Sequence, residues 1–510
     1  MSTHASTWPA VRAEWRAIGI CLFITIGAFQ FGFDSSYYSG ILAMEPFIKA
    51  YGHYDPSTGT YILSSSIQSL TTSIINVGEL VGAVSSYIIG DHLGRRGGLF
   101  VSSFMVVLGV IFQTASHYLG MLIVGRLVLG YAVGLISCLV PLYVADCAPA
   151  QFRGALVSMY QFNVGIGLLL GVIVDNATKD RNDSGSYRIP MAVQLIFPIM
   201  LVPGLITFIP ESPRWLLTKG RVEEARIALH RLHGNRPELI EEDIEYIVKT
   251  IEEEQRHDSS WRELFTWGPE GRKAYIGMAL QAWQQASGIN FITGYGIVFF
   301  STIGITNSFL IQIGLYLVGI PALWANQYTI ERFGRRPMLL LTVCALVAVL
   351  VIVGGCGVAP TKSLALDRTI VAMVFVFMIV FNLSLGPAVW VVTSEISTGH
   401  NRNKLMASST ATNWFCSWLV TFTFPYLFNS DGANLGARVG FIYAGLMAAA
   451  AIWIFVFLPE TSGRSLEEIH ALFANHIPAR KFKSHIIPGA FQVADLEEEK
   501  TSQVVQVEQP

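Results

Sequence analysis

The stretch Asp91-His92-Leu93-Gly94-Arg95-Arg96 returns in altered form as Glu331-Arg332-Phe333-Gly334-Arg335-Arg336. Each copy sets an acid, a glycine and two arginines at matching spacing between long apolar runs. A repeat at half-chain distance indicates two similar halves. Arginines that flank membrane-crossing runs favour the cytoplasmic side, so both copies are expected there. Duplicated halves in a membrane are an architecture of secondary transporters.

Composition agrees with that reading. Of 510 residues, 52% are hydrophobic and only 14% are charged, against roughly 25% charged in soluble domains. The apolar residues come in runs of about 20, the length of a membrane-crossing helix. Six runs centre near Ile26, Val77, Val107, Leu129, Leu168 and Ile199, and six more near Gln285, Gly319, Ala345, Ile379, Leu419 and Ala449. The expected fold is therefore all-α, with twelve transmembrane helices in two six-helix halves. The expected divisions are a cytoplasmic N-terminus (1–14), the first half (15–209), a cytoplasmic helical linker (210–272), the second half (273–458) and a cytoplasmic tail (459–510).

Several classes are disfavoured. A formal net charge of −2 argues against nucleic acid as a partner. The six cysteines lie in or beside apolar runs without zinc or redox spacing, which suits packing roles. No nucleophile–base arrangement, phosphate-cradling loop or metal-ligand cluster is present in the sequence, so no enzyme, cofactor or metal is expected. The first fifteen residues lack a small-residue cleavage site, and the first apolar run is expected to act as the insertion signal. The acidic end, with Glu497-Glu498-Glu499, is expected to be disordered.

Lysine and arginine placement sets the orientation. Arg95, Arg96, Arg153, Arg335, Arg336, Arg402 and Lys404 fall on one side with the linker and both termini, whereas the opposite loops carry fewer. Two N-glycosylation sequons, at Asn176 and Asn182, fall in the loop expected on the outer side between runs five and six. In the linker, Ile240, Ile244, Ile247, Val248 and Ile251 recur at helical spacing among acids, as expected of a helix lying along the end of the bundle.

A set of ordered motifs extends the argument. They are Gly32-Phe33-Asp34, the Asp91–Arg96 run, Gly125-Arg126, Pro141-Leu142-Tyr143 with Arg153-Gly154, and Pro210-Glu211-Ser212-Pro213-Arg214-Trp215-Leu216. The second half adds Gln284-Gln285-Ala286-Ser287-Gly288-Ile289-Asn290, the Glu331–Arg336 run, Gly386-Pro387 through Trp390, and Pro459-Glu460-Thr461 through Leu466. In this order the chain resembles the sugar porters of the major facilitator superfamily, fungal members most of all. The resemblance covers roughly residues 29–469. It implies a multi-pass plasma-membrane protein, working as a monomer, that takes up a hexose or related sugar with protons by alternating access. Passive facilitation, or carriage of a disaccharide, polyol, sugar acid or non-sugar metabolite, remains open.

The charged residues have physical work to do. Arginine pairs at helix ends can bond carboxylates and exposed carbonyls on neighbouring helices. Asp146 is the expected partner of Arg95 and Arg96, and Glu395 that of Arg335 and Arg336. Arg153 and Arg402 follow these acids at equal spacing. With Asp91 and Glu331, the resemblance implies that these networks close the cytoplasmic side. Within the apolar runs, Asp34, Glu79 and Arg126 stand out, because a membrane-buried charge costs at least ~2.5–3.5 kcal/mol. The resemblance implies that Asp34 accepts the proton and Arg126 is its partner; a permanent structural pair is the competing reading. Glu79 is either a second proton site or a bonded polar residue lining the cavity.

A sugar site needs amides for hydroxyls and aromatic surface for the apolar face. The resemblance carries substrate contact to Gln161, Gln284, Gln285, Asn290, Trp390 and Asn413, with Phe31 as an aromatic neighbour. An unbroken helix would not line up Gln284, Gln285 and Asn290, and Gly288, Gly294 and Gly296 permit local unwinding there. Three positions depart from the family pattern: Gly319, where many members have asparagine; Gly294, where many have tyrosine; and Asn382, where some have an acid.

Overall fold

The computed structural model describes residues 14–485, apart from 57–58, 150–151, 256–260, 303–306, 360–362, 430–431 and 465. The acidic end of the chain lies outside these residues. Membrane-length helices dominate. The first half contains spans one to six: Trp15–Ile41, Ser65–His92, Gly94–Thr114, Leu119–Cys147, Arg153–Thr178 and Gly185–Thr207. Span seven is made of Pro269–Gln285 and Ile289–Thr302. Spans eight to twelve are Ser308–Phe333, Arg335–Val358, Leu364–Ile396, Arg402–Phe428 and Gly436–Phe457.

Ten of these are long and apolar enough to cross a membrane on length and composition alone. The other two, spans seven and eleven, are the exceptions for a reason. Span seven is interrupted after Gln285, and span eleven carries Asn413 and Ser417 in its middle. They are less apolar because they face the centre of the protein with polar groups.

Small residues let the helices close up. Spans two and four meet through Gly78, Gly82, Gly130 and Gly134, where an added Cβ would strike backbone of the facing helix. Close backbone approach of this kind replaces the hydrophobic drive that lipid removes.

The linker helices Pro213–Thr218, Val222–His233 and Pro237–Gln255 pack as one cluster with spans one and four. Ile240, Ile244 and Ile251 are buried in that cluster, and Ile247 and Val248 pack against it. The apolar stripe thus meets the end of the bundle that bears the repeated arginines.

The repeat is visible atom by atom at this end. Gly94 and Gly334 have φ of 80° and 93°, values that favour glycine. At each, a Cβ would meet a carboxylate, Glu211 or Glu460. Glu211 accepts from the backbone N–H of Arg95 at 2.9 Å and of Arg96 at 3.1 Å. Glu460 accepts from Arg335 N–H at 3.0 Å and Arg336 N–H at 3.1 Å. Each acid therefore caps the start of span three or nine, where N–H groups lack helical partners.

The arginines divide their work differently from the expectation. Arg95 pairs with Asp146 at 3.1 Å, and Arg335 with Glu395 at 2.9 Å. Arg96 does not share Asp146; it donates to the carbonyl of Leu205 at 2.7 Å. Arg336 likewise donates to the carbonyl of Phe455 at 2.7 Å instead of reaching Glu395. The second arginine points outward from the helix start, towards carbonyls near the ends of spans six and twelve. Asp91 pairs with Lys219 at 3.3 Å, whereas Glu331 pairs with Arg335 at 2.8 Å. The side chain of Arg153 lies outside the described residues.

The two sequons also separate. Asn182 is exposed in the connection after span five, but Asn176 lies within the helix with its amide oxygen buried. Only Asn182 has the loop setting expected of a glycosylated residue.

Candidate functional site

A cavity of about 110 Å³ lies between the halves near mid-span. Phe31, Asp34, Arg126 and Gln161 line it from the first half, and Gln284, Gln285, Asn290, Trp390 and Asn413 from the second. Every residue singled out for substrate or proton therefore meets at one place. Thr72, Asn76, Glu79, Asn382, Trp414 and Ser417 also line it.

The break in span seven builds the amide cluster. Gly288 has φ of 82°, so the helix stops after Gln285 and restarts at Ile289. Residues five apart diverge on a continuous helix. Here the Asn290 amide nonetheless donates to Gln285 Oε1 at 2.8 Å. Gln285 in turn donates to Asn413 Oδ1 at 2.6 Å, and Asn290 to Ser417 Oγ at 2.7 Å. Asn76 of span two also donates to Ser417 Oγ. A single polar chain thus joins spans two, seven and eleven. Gly294 and Gly296 remain helical, so Gly288 alone makes the break.

Gln284 differs from its neighbours. Its amide nitrogen donates to the carbonyl of Gly386 at 2.7 Å and of Leu385 at 3.2 Å. Those carbonyls end a π-helical turn, Phe381–Leu385, in span ten. The Gln284 amide N–H groups are occupied in holding that turn, although the residue lines the cavity.

The turn carries Asn382, and this accounts for one departure. An added Cβ at Gly319 would strike the Asn382 amide nitrogen. The amide absent from span eight is replaced in space by one from span ten. At Gly294, by contrast, a Cβ would meet only Thr72 Cγ2, at 3.6 Å. That side of the cavity is open.

Aromatic rings close the rest. Phe31 packs edge-on against Trp414 at 5.1 Å, and Trp390 tilts against Tyr160 at 5.9 Å. Trp414 donates to Ser137 Oγ across the halves at 3.1 Å.

The charged group is not arranged as a salt bridge. Asp34, Glu79 and Arg126 are all buried. The Arg126 guanidinium lies 3.6 Å from the Tyr38 ring centroid and donates to Tyr37 Oη at 3.3 Å. Among the described residues, no ion pair joins it to Asp34 or to Glu79. Asp34 Oδ1 and Glu79 Oε2 are buried without hydrogen-bond partners.

Bonds tie the halves together on both sides of this cavity. On the side of the repeated arginines, Arg402 pairs with Asp146 at 3.3 Å and Arg95 donates to Asn403 at 3.3 Å. On the other side, Ile297 N–H donates to Ser39 Oγ at 3.1 Å, and Asn429 donates to Ser65 Oγ at 2.8 Å. Tyr295 Oη donates to the carbonyl of Thr421 at 3.1 Å nearby, within the second half. The halves are thus bonded to each other on both sides of the cavity.

Sequence reading identified the motif acids Glu211 and Glu460 but not their capping role. It missed Asn76 and Ser417, which are polar residues in ordinary-looking helix sequence. For Ser417 the signal is the low apolarity of span eleven and its i, i+4 spacing from Asn413; Asn76, on span two, carries no such signal.

Known proteins place this architecture. The chain matches the family described as Sugar (and other) transporter over residues 20–473. It is 37% identical to the major facilitator-type transporter ecdD of Aspergillus rugulosus, across 91% of this chain and 89% of that one. It is 31% identical to the low-affinity glucose transporter HXT3 of Saccharomyces cerevisiae, across 90% of this chain and 82% of that one. Among solved structures, the proton:xylose symporter XylE bound to 6-bromo-6-deoxy-D-glucose superposes with a TM-score of 0.79 at 24% identity, covering 90% of this chain and all of that one. That likeness concerns the fold. Taken with the family match and the fungal relatives, it leaves one conclusion: the chain belongs to the sugar (and other) transporter family, the sugar porters of the major facilitator superfamily.

Proposed function

We propose that this protein carries a hexose or related polyhydroxylated sugar into the cell together with a proton, by alternating access across the plasma membrane, as a monomer. The carrying observation is the cavity between the halves, where a chain of amides and aromatic rings stands beside a buried acid and a guanidinium that are not ion-paired. The amides suit hydroxyls that both donate and accept. The separated pair suits coupling, because a carboxyl takes up a proton when its cation moves away and releases it when the cation returns. In this reading the arginine-rich side is cytoplasmic, with the termini and linker. Asp146 and Glu395, with their arginines, hold that side shut. The relative HXT3 is named for glucose, which makes glucose the first sugar to test.

A second reading concerns the cargo. Open space beside Gly294 and the relocated amide of Asn382 favour a molecule larger than a hexose or differently hydroxylated, such as a disaccharide, polyol or sugar acid.

Expression in a cell lacking its own hexose uptake tests both. Growth and labelled uptake across a sugar panel identify the cargo. Uptake that persists unchanged after a protonophore collapses the proton gradient removes the coupling and leaves passive facilitation.

A further inference from the structure

We infer that Glu79 is a second proton-carrying carboxyl in the transport cavity, placed to receive the proton from Asp34 and pass it towards the arginine-rich side. This rests on the symport reading above.

Helix position gives the first support. Asp34 and Arg126 each lie roughly 10 Å from the end of their helix on the side away from the repeated arginines. Glu79 lies roughly 20 Å from either end of span two, near its middle. Tyr160 lies roughly 10 Å from the arginine-rich end of span five. These polar groups form a descending series. Glu79 interacts electrostatically with both Asp34 and Arg126 above it and with Tyr160 below.

Bonding gives the second. Glu79 is 3% exposed and lines the cavity, yet its Oε2 is buried without a partner. The Tyr160 hydroxyl is likewise buried without one. Structural carboxyls inside membranes are paired; this one is not. Its backbone is also held in place, since a Cβ at Gly134 of span four would strike the Glu79 carbonyl. The helix cannot easily rotate the carboxyl away from the cavity.

Charge gives the third. The cavity holds two carboxyls and one guanidinium, so one proton on the pair makes it neutral. The charged and titratable groups that interact with Glu79 are Asp34 from span one, Arg126 from span four and Tyr160 from span five. Span eleven supplies Asn413 and Ser417, which are polar and uncharged. Transfer is balanced: the Asp34 O–H breaks, the Glu79 O–H forms, and Asp34 returns to a carboxylate for Arg126. When the arginine-rich side opens, Glu79 gives its proton to water.

The test compares wild type with Glu79→Gln, Glu79→Asp and Asp34→Asn in proteoliposomes, using the sugar identified by the uptake panel. Proton-driven accumulation is measured beside counterflow, which needs sugar exchange but no net proton movement. Glu79→Gln is expected to lose accumulation ~10-fold or more while counterflow stays within ~3-fold of wild type. Glu79→Asp should recover accumulation in part and shift its pH profile. The inference is overturned by wild-type accumulation in Glu79→Gln. It is equally overturned by parallel loss of counterflow with a raised KM, which would mark a sugar ligand. Should Glu79→Gln fail to fold, an unshifted pH profile in Glu79→Asp overturns it. If wild type itself ignores the proton gradient, the symport reading has failed first.

Discussion

Arg126 rests on the face of Tyr38, 3.6 Å from guanidinium carbon to ring centroid, and not against the carboxyl of Asp34. A desolvated cation over an aromatic face is held by ~2 kcal/mol. The ring therefore competes with the acid for the arginine. Tyr38→Leu should release Arg126 towards Asp34 and slow proton-driven uptake by ~10-fold, whereas Tyr38→Phe, which keeps the ring, should remain near wild type. Equal uptake by the two variants at matched surface expression would show that the ring does not restrain Arg126.

Asp146 joins the halves by pairing with Arg95 and, at 3.3 Å, with Arg402. Its side chain is fully buried, and breaking such a pair costs ~3–5 kcal/mol. Asp146→Asn should shift the population towards the form open on the arginine-rich side. The readout is maleimide labelling of a cysteine introduced at Ser408, in a background lacking the six native cysteines. Labelling as slow as in the parent would mean that this pair does not hold the side shut.

Gly94 and Gly334 occupy matching left-handed positions against matching carboxylates. Substituting alanine at either should cost ~1–3 kcal/mol, from backbone strain and from displacement of the capping acid. Thermal unfolding in detergent should show similar falls in Tm for the two variants. A fall in one half alone would deny that the caps are equivalent.

Gly319 and Asn382 should behave as a coupled pair. Gly319→Asn alone collides with the Asn382 amide and should lower uptake ~10-fold; adding Asn382→Ala should restore most of it. The double variant returns an amide to span eight, so its order of preference across the sugar panel should change. Additive losses would place the two side chains out of contact.

His233 carries a pH dependence outside the membrane. Burial alone would lower its pKa, but hydrogen bonds and charge from Asp243 and Glu14 outweigh this and raise it to about 9. A raised folded-state value means that the stabilisation is complete below the ordinary value near 6.5 and is lost as pH rises through about 9. Hydrogen exchange in the linker helices should quicken between pH 7 and about 9.5 in wild type beyond the chemical rate. His233→Gln should remove that extra rise. Identical pH responses would show that His233 does not dock the start of span one to the linker.

Much of this was legible from sequence because membranes impose simple rules. Span positions follow from hydropathy, and the convergence of Gln285, Asn290 and Asn413 follows from family motifs and the polar need of a sugar site. What sequence did not disclose was the division of labour among like residues. Arg95 and Arg96 are adjacent and chemically identical, yet one reaches an acid and the other a carbonyl, because a helix turns about 100° between them. Gln284 and Gln285 differ in the same way. Asn382 took the place expected of another residue because the π-helical turn adds a residue to span ten and redirects its side chains. Register of this kind depends on three-dimensional packing.

The break at Gly288 places two requirements on one segment. Gln285 precedes it and Asn290 follows it, so the groups that would grip the cargo belong to separate half-helices linked across the break by their own hydrogen bond. Selectivity and turnover are thereby tied together: a substitution that improves grip at either amide also alters how the half-helices move. Breeding a variant for a new cargo should begin elsewhere, at positions 294, 319 and 382, where the wall can be reshaped without touching the hinge.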